Sequence, residues 1–253
     1  MSFCPKTRLW ARSSQLTAKQ KNFQKVLPRQ QLRRQIHASR TAANSSTSDS
    51  TPALRFPDPP SKEHCDVSSY TAYAERIGLD TSSTTYVGTH YEYTVAATLE
   101  KFGFHLRRVG GAGDYGIDLL GTWSVPSTPT PLRVLLQCKA SSITSKARIG
   151  PATIRELEGA FVGAPPGWRR SNVVGLLVTQ RTATKGVRES LSRSRWPMGF
   201  VSCSSDGIVQ QMIWNAKAEE EGLAGLGVGV RLSETGSTQE LVLTWKGQPT
   251  LAT

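Results

Sequence analysis

The apolar positions of the chain change period several times, and each change marks an element. Over residues 84–102, TTYVGTHYEYTVAATLEKF, the positions Val87, Tyr91, Val95, Thr98 and Phe102 recur at helical spacing, with Gly103 as a stop. FHLRRV then predicts a short strand, GGAGDYG a turn, GIDLLGTW a second strand, VPSTPTP a loop, and LRVLLQCKA a third strand. The polar loop SSITSKARIG leads to Pro151, suited to the first position of a helix whose inward face is Ile154, Leu157, Ala160 and Phe161. NVVGLLVTQ is an unbroken apolar run, the pattern of a strand covered on both sides. Residues 184–195 predict a basic amphipathic helix, PMGFVSC and GIVQQMI two strands, residues 214–224 a helix, and ELVLTW a last strand. The central order of helix, three strands, helix, strand predicts an α/β fold with a mixed central sheet.

The first 48 residues follow a different rule. They contain ten basic residues and no Asp or Glu, the first acid being Asp49. Leu9, Leu16, Phe23 and Leu27 would share one face of a helix, with Arg12, Lys19 and Lys25 elsewhere around it. This is the composition of an organellar transit peptide, and Arg34-Gln35-Ile36-His37-Ala38-Ser39 resembles a mitochondrial processing site. The competing reading is a basic tail that binds RNA or acidic surfaces. Residues 41–62 are rich in Ser, Thr, Ala and Pro with few large apolar groups. The expected organisation is therefore a transit peptide over 1–43, a linker over 44–65, and one domain over 66–253 with its core at about 84–210. The expected location is the mitochondrial matrix.

Charge alters this picture by subtraction. The formal net charge is +12, but outside residues 1–48 there remain 21 basic against 19 acidic residues, so the body is nearly neutral. Bulk electrostatics then gives no argument for nucleic acid, and such a claim must rest on a site. No run approaches the roughly 18 apolar residues of a membrane helix, so no membrane insertion is expected. The four cysteines and four histidines lack metal-ligand spacing, which predicts reduced thiols and no zinc centre.

Candidate chemistry sits on the second and third predicted strands. Asp118 alternates with Ile117 and Leu119, while Gln137 and Lys139 share one strand face, about 6–7 Å apart along the chain. If the strands are neighbours, an acid, an amide and an amine converge at one sheet edge. Asp118 offers hard anionic oxygen to Mg²⁺. Gln137 offers a neutral carbonyl oxygen, and Lys139 offers a compact cation to offset charge on a phosphoryl transition state. Glu92 on the preceding helix can add the charge that Gln137 lacks. The backbone carbonyl of Cys138 lies between Gln137 and Lys139 and is a further candidate ligand. Gly111-Ala112-Gly113-Asp114-Tyr115-Gly116 fits G-x-G-x-x-G, but the strand-like IDLLGTW follows it where a dinucleotide site needs a helix.

GDYGIDLLG followed by LLQCKA resembles the D…QxK variant of the PD-(D/E)xK nuclease signature, and is especially similar to Mrr-type restriction endonucleases. The similarity extends through YEYTVAATLEKFGF, IRELEGAF, GLLVTQ and MGFVSC, roughly residues 86–210. With the leader, the chain also resembles a family of fungal mitochondrial proteins linked to respiratory growth. The resemblance implies a restriction-endonuclease-like core. It also implies Asp118, Gln137, Lys139 and Glu92 as catalytic residues, and Mg²⁺, with Mn²⁺ as a substitute, held by Asp118, Gln137, Glu92 and the Cys138 backbone. Asp114 matches the turn acid less securely. The implied function is hydrolysis of nucleic acid, DNA before RNA, in support of respiratory growth or mitochondrial genome maintenance. The alternative is a catalytically inactive nuclease-fold protein acting as a nucleic-acid-binding or assembly factor. Arg148, Arg155, Arg169 and Arg170 are candidate phosphate contacts, Trp168 a candidate stacking platform, and a homodimer is left open.

Overall fold

A computed structural model describes residues 54–111, 115–140, 149–169, 171–232 and 239–250. The predicted transit peptide, the first part of the predicted linker, Asp114, Arg148 and Arg170 lie outside them.

Helix α1 (Val67–Ile77) opens the described body. It was not anticipated, although its start is a capping box in which Asp66 and Ser69 each satisfy the other's backbone N–H. Gly78, at φ 65°, ends it in the left-handed conformation that favours glycine. Helix α2 (Thr84–Glu100) starts at Ser83, whose hydroxyl accepts from the Tyr86 N–H at 3.2 Å. Its expected inward stripe is present at Tyr91, Val95 and Thr98, but Leu99 completes it in place of the partly buried Phe102. Thr89 and Tyr93 are buried as well, because α1 and the segment before it cover a second face of the helix. The His64 ring meets the Tyr93 hydroxyl at 2.8 Å there.

Strands β1 (Phe104–Arg108), β2 (Leu119–Trp123) and β3 (Leu132–Lys139) pair antiparallel in sequence order. Helix α3 (Pro151–Gly163) carries the chain to β4 (Val173–Thr179), parallel to β3, and α4 (Lys185–Arg193) leads to β5 (Met198–Cys203), parallel to β4. Strand β6 (Val209–Trp214) returns antiparallel to β5. Among the described residues the main sheet thus runs β1-β2-β3-β4-β5-β6, mixed as expected. All seven residues of β4 are buried, as its unbroken apolar run requires. One core places Tyr91, Val95 and Leu99 of α2 against Leu119, Leu136, Leu176 and Val201. The other places Leu157 and Phe161 of α3 and Leu191 of α4 against Leu120, Leu135, Leu177 and Phe200. Each large side chain buried in this way stabilises the fold by about 1.5–3 kcal/mol before entropy is counted.

Three expectations need correction. The linker expected over 44–65 packs on the body in its second half. Leu54 and Phe56 join the second core, and the Phe56 ring meets Trp168 edge-on at 5.0 Å and lies under the Arg107 guanidinium at 4.6 Å. Two apolar side chains are enough to hold such a segment. The helix expected over 214–224 is a short turn, Ala216–Ala218, continuing into a wide turn, Glu219–Leu223. It is broken at Gly222, where φ is 137° and a Cβ would lie 2.7 Å from Thr128. The tail forms a separate small sheet of β7 (Leu226–Leu232), β8 (Gln239–Trp245) and β9 (Gln248–Pro249). Only β8 was anticipated, because the glycines of LGVGVRL dilute its alternation. Among the described residues no helix is long and apolar enough to cross a membrane.

Candidate active site

The pairing of β2 with β3 decides where the polar side chains meet. Asp118 lies just before the first residue of β2, and its N–H donates to the Leu136 carbonyl at 2.9 Å, so it sits beside Gln137. Its Oδ2 accepts from the Cys138 N–H at 2.6 Å, a charge-assisted bond that fixes the carboxylate against the end of β3. Along β3, Leu136 and Cys138 turn to the α2 core and Leu135 to the α3 core, so alternation puts Gln137 and Lys139 on the α3 side.

Gln137 is 6% exposed, and its Oε1 is buried with no hydrogen-bond partner among the described residues. A buried amide oxygen left so costs about 1–3 kcal/mol, a cost a bound ligand would offset. Two glycines permit close approach, one to the Gln137 amide and one to Asp118. A Cβ on Gly116 (φ 78°) would stand 2.9 Å from Gln137 Nε2, and one on Gly110 would stand 3.1 Å from Asp118 Oδ1. Lys139 Nζ lies 3.2 Å from Glu156 Oε2, which reaches down from the second turn of α3. Both side chains are partly exposed, so the pair contributes little stability and mainly sets position.

Sequence reasoning missed Glu156. Its signal was present: in α3, with Ile154 and Leu157 inward, residue 156 falls at the border of the buried face, able to reach the sheet.

Glu92 carries a counter-charge of its own. Its Oε2 accepts from Arg108 Nε at 2.5 Å, and both side chains are about nine-tenths buried, at 12% and 13% exposure. Arg108 also donates to the Thr89 hydroxyl at 3.3 Å and lies 5.7 Å from the centre of the Tyr93 ring. The carboxylate expected to strengthen a cation cage is therefore balanced by a guanidinium that the sequence pattern did not point to. Glu92 remains in the neighbourhood: burial, then the charges of Asp118 and Glu92, push the Cys138 thiol well above its usual pKa. Cys138 keeps its side chain against the main core and commits its N–H to Asp118.

Of the basic candidates, Arg155 and Arg169 lie among the described residues. Arg155 is exposed on α3 beside Glu156. Arg169 donates through Nε to the Ala164 carbonyl, which ties it to the end of α3. Trp168 cannot serve as a stacking platform, because it is fully buried and its Nε1 donates to the Gly121 carbonyl at 3.2 Å. Tyr115, which the sequence did not single out, is 75% exposed in the turn before Asp118 and rests on Gly163 of α3.

A divalent cation such as Mg²⁺ takes oxygen donors, needs only one or two carboxylates and keeps several waters. The Asp118 carboxylate and the unpartnered Gln137 oxygen fit that requirement. Among the described residues no three His, Cys, Asp or Glu side chains come close enough to share a metal, so the fit is to a lightly charged, hydrated site. A cavity of about 910 Å³ lies elsewhere, lined by Lys101, Phe102, Val125, Leu226 and Leu241 among others, and by none of Asp118, Gln137 and Lys139.

Comparison with known proteins places this arrangement in context. The family model described as Required for respiratory growth protein 7 matches residues 83–130 and 126–232, which include Glu92, Asp118, Gln137, Lys139 and Glu156. An uncharacterized mitochondrial protein of Schizosaccharomyces pombe is 32% identical over 154 residues, covering 58% of this chain and 59% of that protein. Required for respiratory growth protein 7, mitochondrial, of Saccharomyces cerevisiae is 27% identical over 171 residues, covering 51% of this chain and 69% of that protein. Its namesake from Eremothecium gossypii is 30% identical over 151 residues, 45% of this chain and 62% of that protein. The chain thus spans about three fifths of the Schizosaccharomyces relative. No solved structure matches.

Proposed function

The chain belongs to the Required for respiratory growth protein 7 family, and we propose that it is a metal-dependent nuclease of the mitochondrial matrix that supports respiratory growth. That the protein is mitochondrial follows from its relatives, which are named so in Schizosaccharomyces pombe and in Saccharomyces cerevisiae. The observation that carries the nuclease reading is the buried, unpartnered Gln137 oxygen beside the Asp118 carboxylate, on the strand face that also bears Lys139. The succession α2, β1–β3, α3, β4 supports a restriction-endonuclease-like core, as the D…QxK resemblance implies.

In this reading Asp118 and Gln137 would hold Mg²⁺ or Mn²⁺, which would supply Lewis-acid polarisation of a phosphate and a more acidic water. The Cys138 N–H keeps the Asp118 carboxylate oriented, Gly110 leaves room for that carboxylate, and Gly116 leaves room for the Gln137 amide. Lys139 brings its ammonium to the phosphoryl oxygens, where charge accumulates in the transition state. Arg155, exposed on α3, would meet the backbone phosphates of the nucleic acid, and the exposed Tyr115 ring would stack on a base. DNA is the favoured substrate, genome maintenance the favoured role.

A second reading has its own support. With a neutral amide at 137, Glu92 engaged by Arg108, and Lys139 engaged by Glu156, the same residues suit a nuclease-fold protein that binds nucleic acid or an assembly partner without turnover.

The test uses the purified full-length chain with supercoiled DNA and with single-stranded RNA. Cleavage is expected with Mg²⁺ or Mn²⁺ and is lost on chelation by EDTA. Substrate that stays intact with either metal, as it does in the chelated control, would favour the second reading.

A further inference from the structure

Resting on the metal-dependent reading of the site, we propose that Glu156 is the second carboxylate of the cation site, held by Lys139 and transferred to a divalent cation when one enters.

Three observations lead there. The cage formed by Asp118 and Gln137 carries one negative charge, little for a cation whose affinity rises with the charge of its ligands. Another acid among the described residues, Glu92, is balanced by Arg108 in a pair about nine-tenths buried, and drawing it away would strand a buried guanidinium. Glu156 has neither restriction. It comes from α3, on the side of the sheet that Gln137 and Lys139 face, and among the described residues its carboxylate is held by a partly exposed lysine at 3.2 Å. The Gln137 oxygen, on a side chain 6% exposed and without a partner, marks where an electropositive ligand would sit.

The exchange has a consequence for Lys139. The ammonium that loses Glu156 is released two residues along the strand from Gln137, about 6–7 Å away, within reach of a phosphate on the same cation. Cation entry and phosphate capture are thus coupled: the carboxylate that completes the cage is the one that restrained the lysine.

The experiment is Mn²⁺ binding to the full-length chain, read by calorimetry and by the electron paramagnetic resonance signal of free Mn²⁺, with no nucleic acid present. The proposal expects Glu156→Gln to weaken binding about tenfold or more. Lys139→Met, which frees Glu156, should strengthen it several-fold. Glu189→Gln, which removes the same charge from an exposed position of α4, should change it less than twofold. Glu156→Gln equal to the wild type, with Asp118→Asn abolishing binding, would overturn the role of Glu156 and leave the metal-dependent reading standing. A wild type that binds no more Mn²⁺ than Asp118→Asn would overturn that reading, and this inference with it. Glu156 is half exposed, so its replacement leaves the core intact, and an unchanged melting temperature checks this.

Discussion

Asp118→Asn and Lys139→Ala are each expected to lower metal-dependent cleavage by about a thousandfold, the upper range for removing one group that stabilises developing charge. Asparagine is the informative replacement at 118. It keeps an oxygen that accepts from the Cys138 N–H, so the end of β3 stays satisfied, but it removes the anionic charge a hard cation requires. Alanine would also orphan that N–H, at about 1–3 kcal/mol, and confuse loss of function with loss of structure. Lys139 is partly exposed and, among the described residues, makes one surface pair, so its alanine variant should fold normally while losing the cation beside the phosphate. Arginine should rescue poorly, since a planar fork does not replace a compact ammonium. Initial rates on one DNA substrate, with unfolding curves for each variant, separate the two effects. A variant that retains a tenth or more of wild-type cleavage would remove its residue from the mechanism.

Glu92→Ala should act through stability. The substitution leaves Arg108 buried and uncompensated, with the Thr89 hydroxyl and the Tyr93 ring beside it. Breaking such a pair from one side costs about 3–5 kcal/mol. In a domain of this size that corresponds to a fall of about 10 °C in Tm. Replacing both partners, Glu92→Leu with Arg108→Met, should recover most of the loss, because well-packed apolar groups substitute for a buried pair at little cost. Urea unfolding of the two single variants and the double variant gives the coupling directly. A single variant within about 1 kcal/mol of wild type would show that the pair is not a structural element, and would return Glu92 to the candidate ligands.

These predictions depend on what the sequence could and could not display. The main sheet was legible because its strands carry simple signals: β4 is an unbroken apolar run, and β3 alternates Leu136 and Cys138 against Gln137 and Lys139. The pairing of β2 with β3, which brings Asp118 to Gln137, was open to inference because the short Pro-rich connection favours neighbouring antiparallel strands. Less legible were the features made by contacts distant in sequence. Arg108 looks like one more basic residue until the fold lays it against Glu92, sixteen residues earlier. Glu156 looks like a helix-surface acid until α3 is placed over β3. Trp168 beside Arg169 suggested an exposed reading surface, whereas its indole is fully buried and anchors the loop. Helix α1 had a cap at each end but only Tyr70 and Ala74 as buried positions, too few for its period to stand out. The candidate site was therefore readable in its residues and largely unreadable in its counter-charges.

The central claim is that turnover at Asp118 and Lys139 is what the mitochondrion needs from this protein. Complementation tests it most directly: cells lacking the chain receive wild type or the Asp118→Asn, Lys139→Ala double variant, and growth is measured on a non-fermentable carbon source. The account predicts that the double variant accumulates in mitochondria to the wild-type level and fails to restore growth. Growth equal to wild type from that variant would contradict it, and would assign the protein's role to its fold and surfaces instead.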